Sequence, residues 1–250
     1  LYNSYIGKHA ISERKRSSDN IANNKIVCNH AKYIVDIAKS YLVGNPVAYS
    51  CSDGYDIEAV KNCFAVQDMP SLDAEFEKTM SIFGKAYELV YADEQSQPKS
   101  VCLPPSNTFI VYGAGVGEIP LYGIHYYKKR DIDGTVTGVC CIVCDREMIY
   151  TYENTADSFL HMTMTNSQHH YFGKMPMVEY RNNEEKQGDF EQMIPLIDAY
   201  NILESDRVND KEQFVDAFLF LTGIDLDSEQ AKKLKEERIL MGYEGAAAQY

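Results

Sequence analysis

The sequence predicts an α+β fold with helices first, an antiparallel β-meander in the middle and helix again towards the end. Three observations predict it. Apolar residues recur at three- and four-residue steps from about residue 27 to residue 83. The period then changes to alternation, in short runs separated by turn-forming residues, as far as residue 153. From Ile194 the helical step returns. At 250 residues and 45% hydrophobic content the chain has enough apolar mass for a sizeable core, as one large domain or two modest ones.

Residues Leu1 to Ser18 are polar and contain the basic cluster Arg14-Lys15-Arg16. A helix is expected from Asp19, with Val27, Ala31, Ile34, Val35, Ala38, Tyr41 and Leu42 on one stripe. Gly44 suits its C-terminal cap and Pro46 stops it. Val47 to Ser50 could form a short strand. A second helix is expected over Asp56–Val66, where Ile57, Val60 and Phe64 share a face. Pro70-Ser71 breaks and restarts the chain before a third stripe of Leu72, Phe76, Met80 and Phe83. Tyr87, Leu89 and Tyr91 alternate, which reads as a strand.

The β-rich part follows. Strands are expected at Ser100–Leu103, Thr108–Tyr112, Leu121–Lys128, Thr135–Cys144 and Glu147–Tyr152. Asp133-Gly134 and Asp145-Arg146 stand where the hairpin turns belong. Residues 154–175 read as irregular, and Met177 to Tyr180 as another strand. After the charged linker Arg181–Gly188, Asp189 suits an N-cap, and Pro195 is tolerated in the first turn of a helix that starts near Ile194. Ile197, Tyr200, Leu203 and Val208 mark its apolar stripe. Phe214–Leu221 reads as a strand ended by Thr222-Gly223. A last helix, Glu229–Met241, is capped by Asp227 or Ser228.

The formal charge of −13 argues against a sequence-reading DNA binder, which carries a basic face. It is compatible with a wall past which DNA slides, because negative charge repels phosphate, and equally with simple solubility. Seven irregularly spaced cysteines give no disulfide framework and point to synthesis in a reducing cytosol. No run of about 18 apolar residues suggests a membrane span, and no signal peptide is visible. The chain opens on Leu1 and ends on Ala246-Ala247-Ala248-Gln249-Tyr250 without a stop signal, which leads us to expect a fragment.

No constellation for catalysis emerges. Gly113-Ala114-Gly115-Val116-Gly117-Glu118 superficially resembles a nucleotide loop, but a phosphate cradle needs a helix after it. Pro120 and an alternating Tyr-rich run follow instead. Cys141 and Cys144 form a C-x-x-C without the second pair that zinc requires, and in a strand they point to opposite faces. His161, His169 and His170 could bind a metal or supply a base, but they sit in a loop-like segment. Glu184, Glu185, Asp189 and Asp198 could serve a two-acid hydrolase or a magnesium site, or simply form a solvated acidic linker. Arg14-Lys15-Arg16 could touch phosphates or form a solvated basic turn. We therefore expect no catalytic residue, cofactor or metal.

A pair of segments about 150 residues apart carries a family likeness. The first is Tyr41-Leu42-Val43-Gly44-Asn45-Pro46-Val47, preceded by the polar stretch with Asn23-Asn24-Lys25. The second begins after Gly173-Lys174-Met175-Pro176. It runs through Asn182-Asn183-Glu184-Glu185 to Leu196-Ile197-Asp198-Ala199-Tyr200-Asn201 and Ser205-Asp206. In this order, with a Tyr-rich meander between, the chain resembles the portal (head-tail connector) proteins of siphophages of Gram-positive hosts.

The resemblance implies a wing-like α+β domain over residues 1–187, a stem helix over 188–210 and an incomplete clip-like segment over 211–250. It implies a structural protein of the virion, made in the bacterial host cytoplasm from a phage or prophage. Copies would form a ring at one capsid vertex, a dodecamer in the full-length protein, through which double-stranded DNA passes without base readout. Implied partners are terminase, head-tail neck or adaptor proteins, and capsid and scaffold proteins, with no membrane. Ile197, Asp198, Tyr200, Asn201, Leu203, Ser205 and Asp206 become candidates for the channel or a subunit contact. Two other readings compete: a metal- or Cys/His-dependent hydrolase using His161, His169, His170 and Cys144, and a monomeric adaptor with an exposed docking helix.

Overall fold

The computed structural model describes residues 1–16, 22–52, 54–215, 219–222 and 239–242, with side chains as far as residue 213. The chain divides into two units. One comprises Leu1–Ile6 and Asn29–Ile194, the other Gly7–Cys28 and Pro195–Tyr250. The architecture is α+β.

In the first unit a single helical turn, α1 (Tyr2–Tyr5), precedes α2 (His30–Val43), α3 (Glu58–Val66) and α4 (Met69–Phe83). Asn29 caps α2, its Oδ1 accepting from Lys32 N–H at 3.1 Å. The helix therefore begins at His30, later than the apolar pattern from Asp19 predicts. Ala31 and Val35, one turn apart, are fully buried, and α2 packs against α4. Val47 to Ser50 is not a strand; Tyr49 instead packs on Phe64 of α3, the rings tilted by 49° with centroids 4.8 Å apart. Pro70 lies in the first turn of α4, where its missing N–H costs nothing. Gly84 ends α4 at φ 77°, its N–H bonded to Met80 O at 2.7 Å, and a Cβ there would overlap the Lys186 carbonyl.

Two sheets follow. β1 (Lys85–Ala92) is the centre of a three-stranded antiparallel sheet with β2 (Pro98–Leu103) and β8 (Met177–Arg181), in the order β2-β1-β8. The other sheet is a five-stranded antiparallel meander, β3 (Thr108–Tyr112), β4 (Pro120–Arg130), β5 (Val136–Cys144), β6 (Met148–Asn154) and β7 (Thr163–His169). Both turn dipeptides sit between strands as expected. β7 lies where the sequence reads as irregular. All seven of its residues are exposed, so this edge strand has no apolar alternation to betray it.

Tyr87, Leu89, Leu103, Cys144 and Met177 form the buried cluster between the sheets. Gly123 of β4 permits the close approach: a Cβ there would lie 2.8 Å from both the Cys144 and the Met177 sulfur. Two cross-strand tyrosine–carboxylate pairs link β1 and β8, one on the core face and one on the opposite face, where Tyr180 meets Phe76 of α4. Tyr87 donates to Glu179 at 2.9 Å and Tyr180 to Glu88 at 2.7 Å. Burial, with these carboxylate partners, holds both phenols well above their ordinary pKa. Burial pushes Glu179 up, but bonds from Arg181, Tyr87 and Lys186 outweigh it and leave the carboxylate below its usual range.

The second unit contains a 3-10 turn at Ala10–Glu13 and most of α5 (Ile194–Val215). It also holds β9 (Leu219–Thr222) and β10 (Ile239–Gly242), paired in parallel. Pro195 stands in the first turn of α5, as the sequence suggests. Phe214 and Val215 belong to α5 and not to the strand expected over Phe214–Leu221, which starts only at Leu219. Ile239 to Met241, expected at the end of a helix, are β-paired; the rest of that helix, 229–238, lies outside the described residues.

Candidate assembly surface

The second unit is organised around one face of α5. Ile197, Asn201, Ser205 and Asn209 recur every four residues, and all are buried. Three of the four are polar. An extended segment, Asn24 to Cys28, runs antiparallel along them and donates every second main-chain N–H to their side chains. Cys28 N–H bonds Asn201 Oδ1 at 2.8 Å, Ile26 N–H bonds Ser205 Oγ at 2.9 Å, and Asn24 N–H bonds Asn209 Oδ1 at 2.8 Å. The spacings match because two extended residues rise about 6.6 Å and four helical residues about 6 Å. The helix thus offers side chains where a neighbouring strand would offer carbonyls. Each bond is worth about 1 kcal/mol net, and the N–H groups so used cannot also start a helix. This is why the helical pattern read from Asp19 begins only at His30.

Side chains that precede the strap fasten to α5 at two further places. Arg14 Nη1 and Arg16 Nη2 donate to Asp206 Oδ1 at 2.7 and 2.8 Å, and Arg14 Nη2 also reaches the Asn24 carbonyl at 2.8 Å. The Arg14 bond leads the causes that lower the Asp206 pKa. Two cations of the basic cluster are therefore engaged inside the unit. At the other place His9, buried, meets Asp198 Oδ1 through Nδ1 at 3.2 Å, while its Nε2 is buried without a partner.

The seven sequence candidates separate accordingly. Ile197 is buried, Asn201 and Ser205 are bonded to the strap, Asp198 meets His9, and Asp206 holds Arg14 and Arg16. Tyr200 and Leu203 face outward, 40% and 58% exposed, and Leu196 at 61% joins them one turn earlier. At about 100° per residue these three cluster opposite the buried face. Asn24, His9 and Asn209 escape a sequence reading; the four-residue step of small polar residues Asn201, Ser205 and Asn209 is the signal that could have revealed them.

The other motifs find places in the first unit. Gly113–Glu118 joins two strands, β3 and β4, with no helix after it. Cys144 is fully buried, its thiol donates to Gly123 O at 3.4 Å, and burial pushes its pKa up to about 11, which disfavours the thiolate a nucleophile needs. His169 lies on exposed β7 against the Tyr171 ring. His170 Nδ1 accepts from Phe172 N–H at 3.2 Å, which leaves its Nε2 to donate to Asp145 O at 3.1 Å. His161 sits in the segment between β6 and β7. Among the described residues no three His, Cys, Asp or Glu side chains are grouped as metal ligands. The acidic linker is a lock on the end of α4: Asp189 N–H bonds Ser81 O at 2.9 Å, Ser81 Oγ returns to Asp189 Oδ2 at 2.6 Å, and Asn182 Nδ2 holds Asp189 Oδ1 at 2.7 Å. Glu184 and Glu185 are exposed. No helix among the described residues is long and apolar enough to cross a membrane.

These features, side chains engaged in holding segments together and no grouped catalytic or metal-binding side chains among the described residues, are those of a structural scaffold. The family model described as "Phage portal protein, SPP1 Gp6-like" matches residues 1–248, and the chain belongs to that family. It is 27% identical over 236 residues to the portal protein of Bacillus phage SPP1, an alignment that covers 84% of this chain. The chain spans about half the length of that curated relative, 46%.

Proposed function

We propose that the chain is part of one subunit in the wall of a portal ring. Copies assemble head-to-tail around a channel at one capsid vertex, twelve in the full-length protein. Residues 1–187 serve as the wing, 188–210 as a stem helix and 211–250 as the start of the clip. Double-stranded DNA passes during packaging and ejection, terminase and then the neck proteins dock on the ring, and capsid and scaffold proteins surround it. The role is structural, not enzymatic. The protein is made in the host cytoplasm and ends in the virion.

The family match over residues 1–248 carries this reading. Two further observations support it. Leu196, Tyr200 and Leu203 give α5 an outward apolar stripe of the kind a neighbouring subunit buries. The net charge of −13 favours passage of phosphate over capture. The test is Leu203→Asp in the protein expressed from its whole reading frame. Because Leu203 is 58% exposed, the subunit keeps its circular dichroism and thermal transition. Negative-stain microscopy and mass photometry show rings lost in favour of subunits. Rings of normal size and yield from this variant would remove α5 from the subunit contact.

A further inference from the structure

A cleft of about 490 Å³ opens at the margin of the inter-sheet core, beside β8. Three consecutive residues of that strand, Met177, Val178 and Glu179, line it. Neighbours along a strand point to opposite faces, so a cavity lined by three in a row runs along the strand's edge. β8 is the end strand of its sheet. The bonds from Val90 N–H to Pro176 O and from Asn182 N–H to Gly84 O, both 2.9 Å, fix the phase of the β1–β8 ladder. Bonds are then exchanged at Glu88–Val178 and Ala86–Tyr180. That turns the N–H and C=O groups of Met177, Glu179 and Arg181 away from β1. Among the described residues no main-chain group meets them.

The facing wall is apolar. Ile110 and Tyr112, which share one face of β3, line it with Ile119 and Pro120 at the end of the Gly-rich loop. Cations stand at one end. Arg146 donates through Nε to Gly173 O at 3.1 Å, and Lys174 follows in the chain. Neither has an ion pair among the described residues. The nearest carboxylate in sequence, Asp145, is turned into its own β-turn, accepting from Glu147 and Met148 N–H at 2.7 Å. Glu179 is occupied by Tyr87, Arg181 and Lys186. Two unneutralised cations thus flank an apolar cleft on a chain of net charge −13.

We infer that this cleft docks an extended, β-prone segment of another protein that ends in acidic residues. The segment adds to β8 as a fourth strand, lays its apolar side chains on Ile110 and Tyr112, and sets its acids against Arg146 and Lys174. The inference concerns the first unit alone and does not rest on ring formation. The probe is a fluorescein-labelled peptide, Thr-Val-Thr-Val-Asp-Asp, titrated into the 250-residue chain and followed by polarisation. Saturable binding is expected, weakened at least tenfold in the Arg146→Glu, Lys174→Glu double variant. N-methylation of one alternate set of peptide amides abolishes binding, and methylation of the other set spares it. That arm uses the unaltered protein, so a folding defect cannot imitate the result. The inference is overturned by absence of saturable binding, by equal binding of the peptide ending in two lysines, or by equal binding of both methylated forms. Displacement of the probe by duplex DNA would overturn it too.

Discussion

The two units keep their parts in place by opposite means. The first closes on apolar bulk: Tyr87, Leu89, Leu103, Cys144 and Met177, with the Tyr87 hydroxyl at the rim. The described part of the second closes on amides and a hydroxyl, Asn201, Ser205 and Asn209, each reading one main-chain N–H of the strap. An apolar core is tolerant of detail and contributes in proportion to area. A polar seal contributes little per bond but accepts one register only, because a shift of one residue along the strap would face each acceptor with the wrong group. The difference also explains how α5 can leave Leu196, Tyr200 and Leu203 outside: the inward face is held without them.

The sharpest way to break this comparison is to damage each closure and ask whether the other notices. Tyr87→Ala removes a ring that is 1% exposed and strips Glu179 of a donor. It should cost about 3–5 kcal/mol, seen as a large fall in the denaturation midpoint and as lost amide protection across β1 and β8. Asn201→Ala leaves Cys28 N–H without its acceptor in a half-buried place. It also removes the Asn201 Nδ2 donor, which is buried without a partner. The net cost should therefore be about 1–2 kcal/mol, with hydrogen exchange accelerated at Cys28 and Ile26 and unchanged in β1. Equal loss of protection in β1 and in the strap for either variant would mean that the two closures are one cooperative system.

The first closure was legible in the sequence and the second was not. Thr108–Tyr112 is a strand at the residues expected, and Thr135–Cys144 differs by one position, because buried sheet faces write themselves as alternation between turn dipeptides. The strap writes nothing comparable. Its partners lie 173 to 185 residues away, and the acceptors are polar residues that hydropathy counts as solvent-facing. The apolar stripe on α5 was misread for a geometric reason. Ile197, Tyr200 and Leu203 are three residues apart, and each three-residue step falls about 60° short of a full turn. The series therefore drifts from the buried face at Ile197 to the outward face at Leu203. The four-residue series beginning at the same Ile197 drifts less and stays inside. The family likeness, by contrast, rested on the order of segments and needed no correct placement of side chains; the match over residues 1–248 agrees with it.

The smallest effects separate the two closures by the sign of their pH dependence. In the first unit Glu77 is 5% exposed with Oε1 unpartnered, and burial, aided by the charge of Asp189, raises its pKa. A carboxyl raised on folding costs nothing below its unfolded pKa, about 4.3, destabilises increasingly as pH rises to the folded value, and costs a constant amount above it. Glu77→Gln should therefore stabilise the first unit by about 1 kcal/mol at pH 8 and leave it unchanged near pH 4. In the second unit the Arg14 bond lowers the Asp206 pKa. A depressed carboxyl contributes in full above its unfolded pKa, and the contribution disappears as pH falls through the folded value. Because the Asp206 side chain is 40% exposed, solvent screens the pair, and Asp206→Asn should cost only a few tenths of a kcal/mol at pH 7. That loss shrinks in high salt, begins to fade below about pH 3.9, where unfolded Asp takes up its proton, and vanishes only below the depressed folded value. Urea titrations at pH 4 and pH 8, read by amide exchange in β1 and in the strap, measure both variants. A Glu77→Gln gain that grew towards low pH would mean that its carboxylate is stabilised by a partner and not isolated by burial, and the contrast between an apolar and a polar closure would lose its electrostatic half.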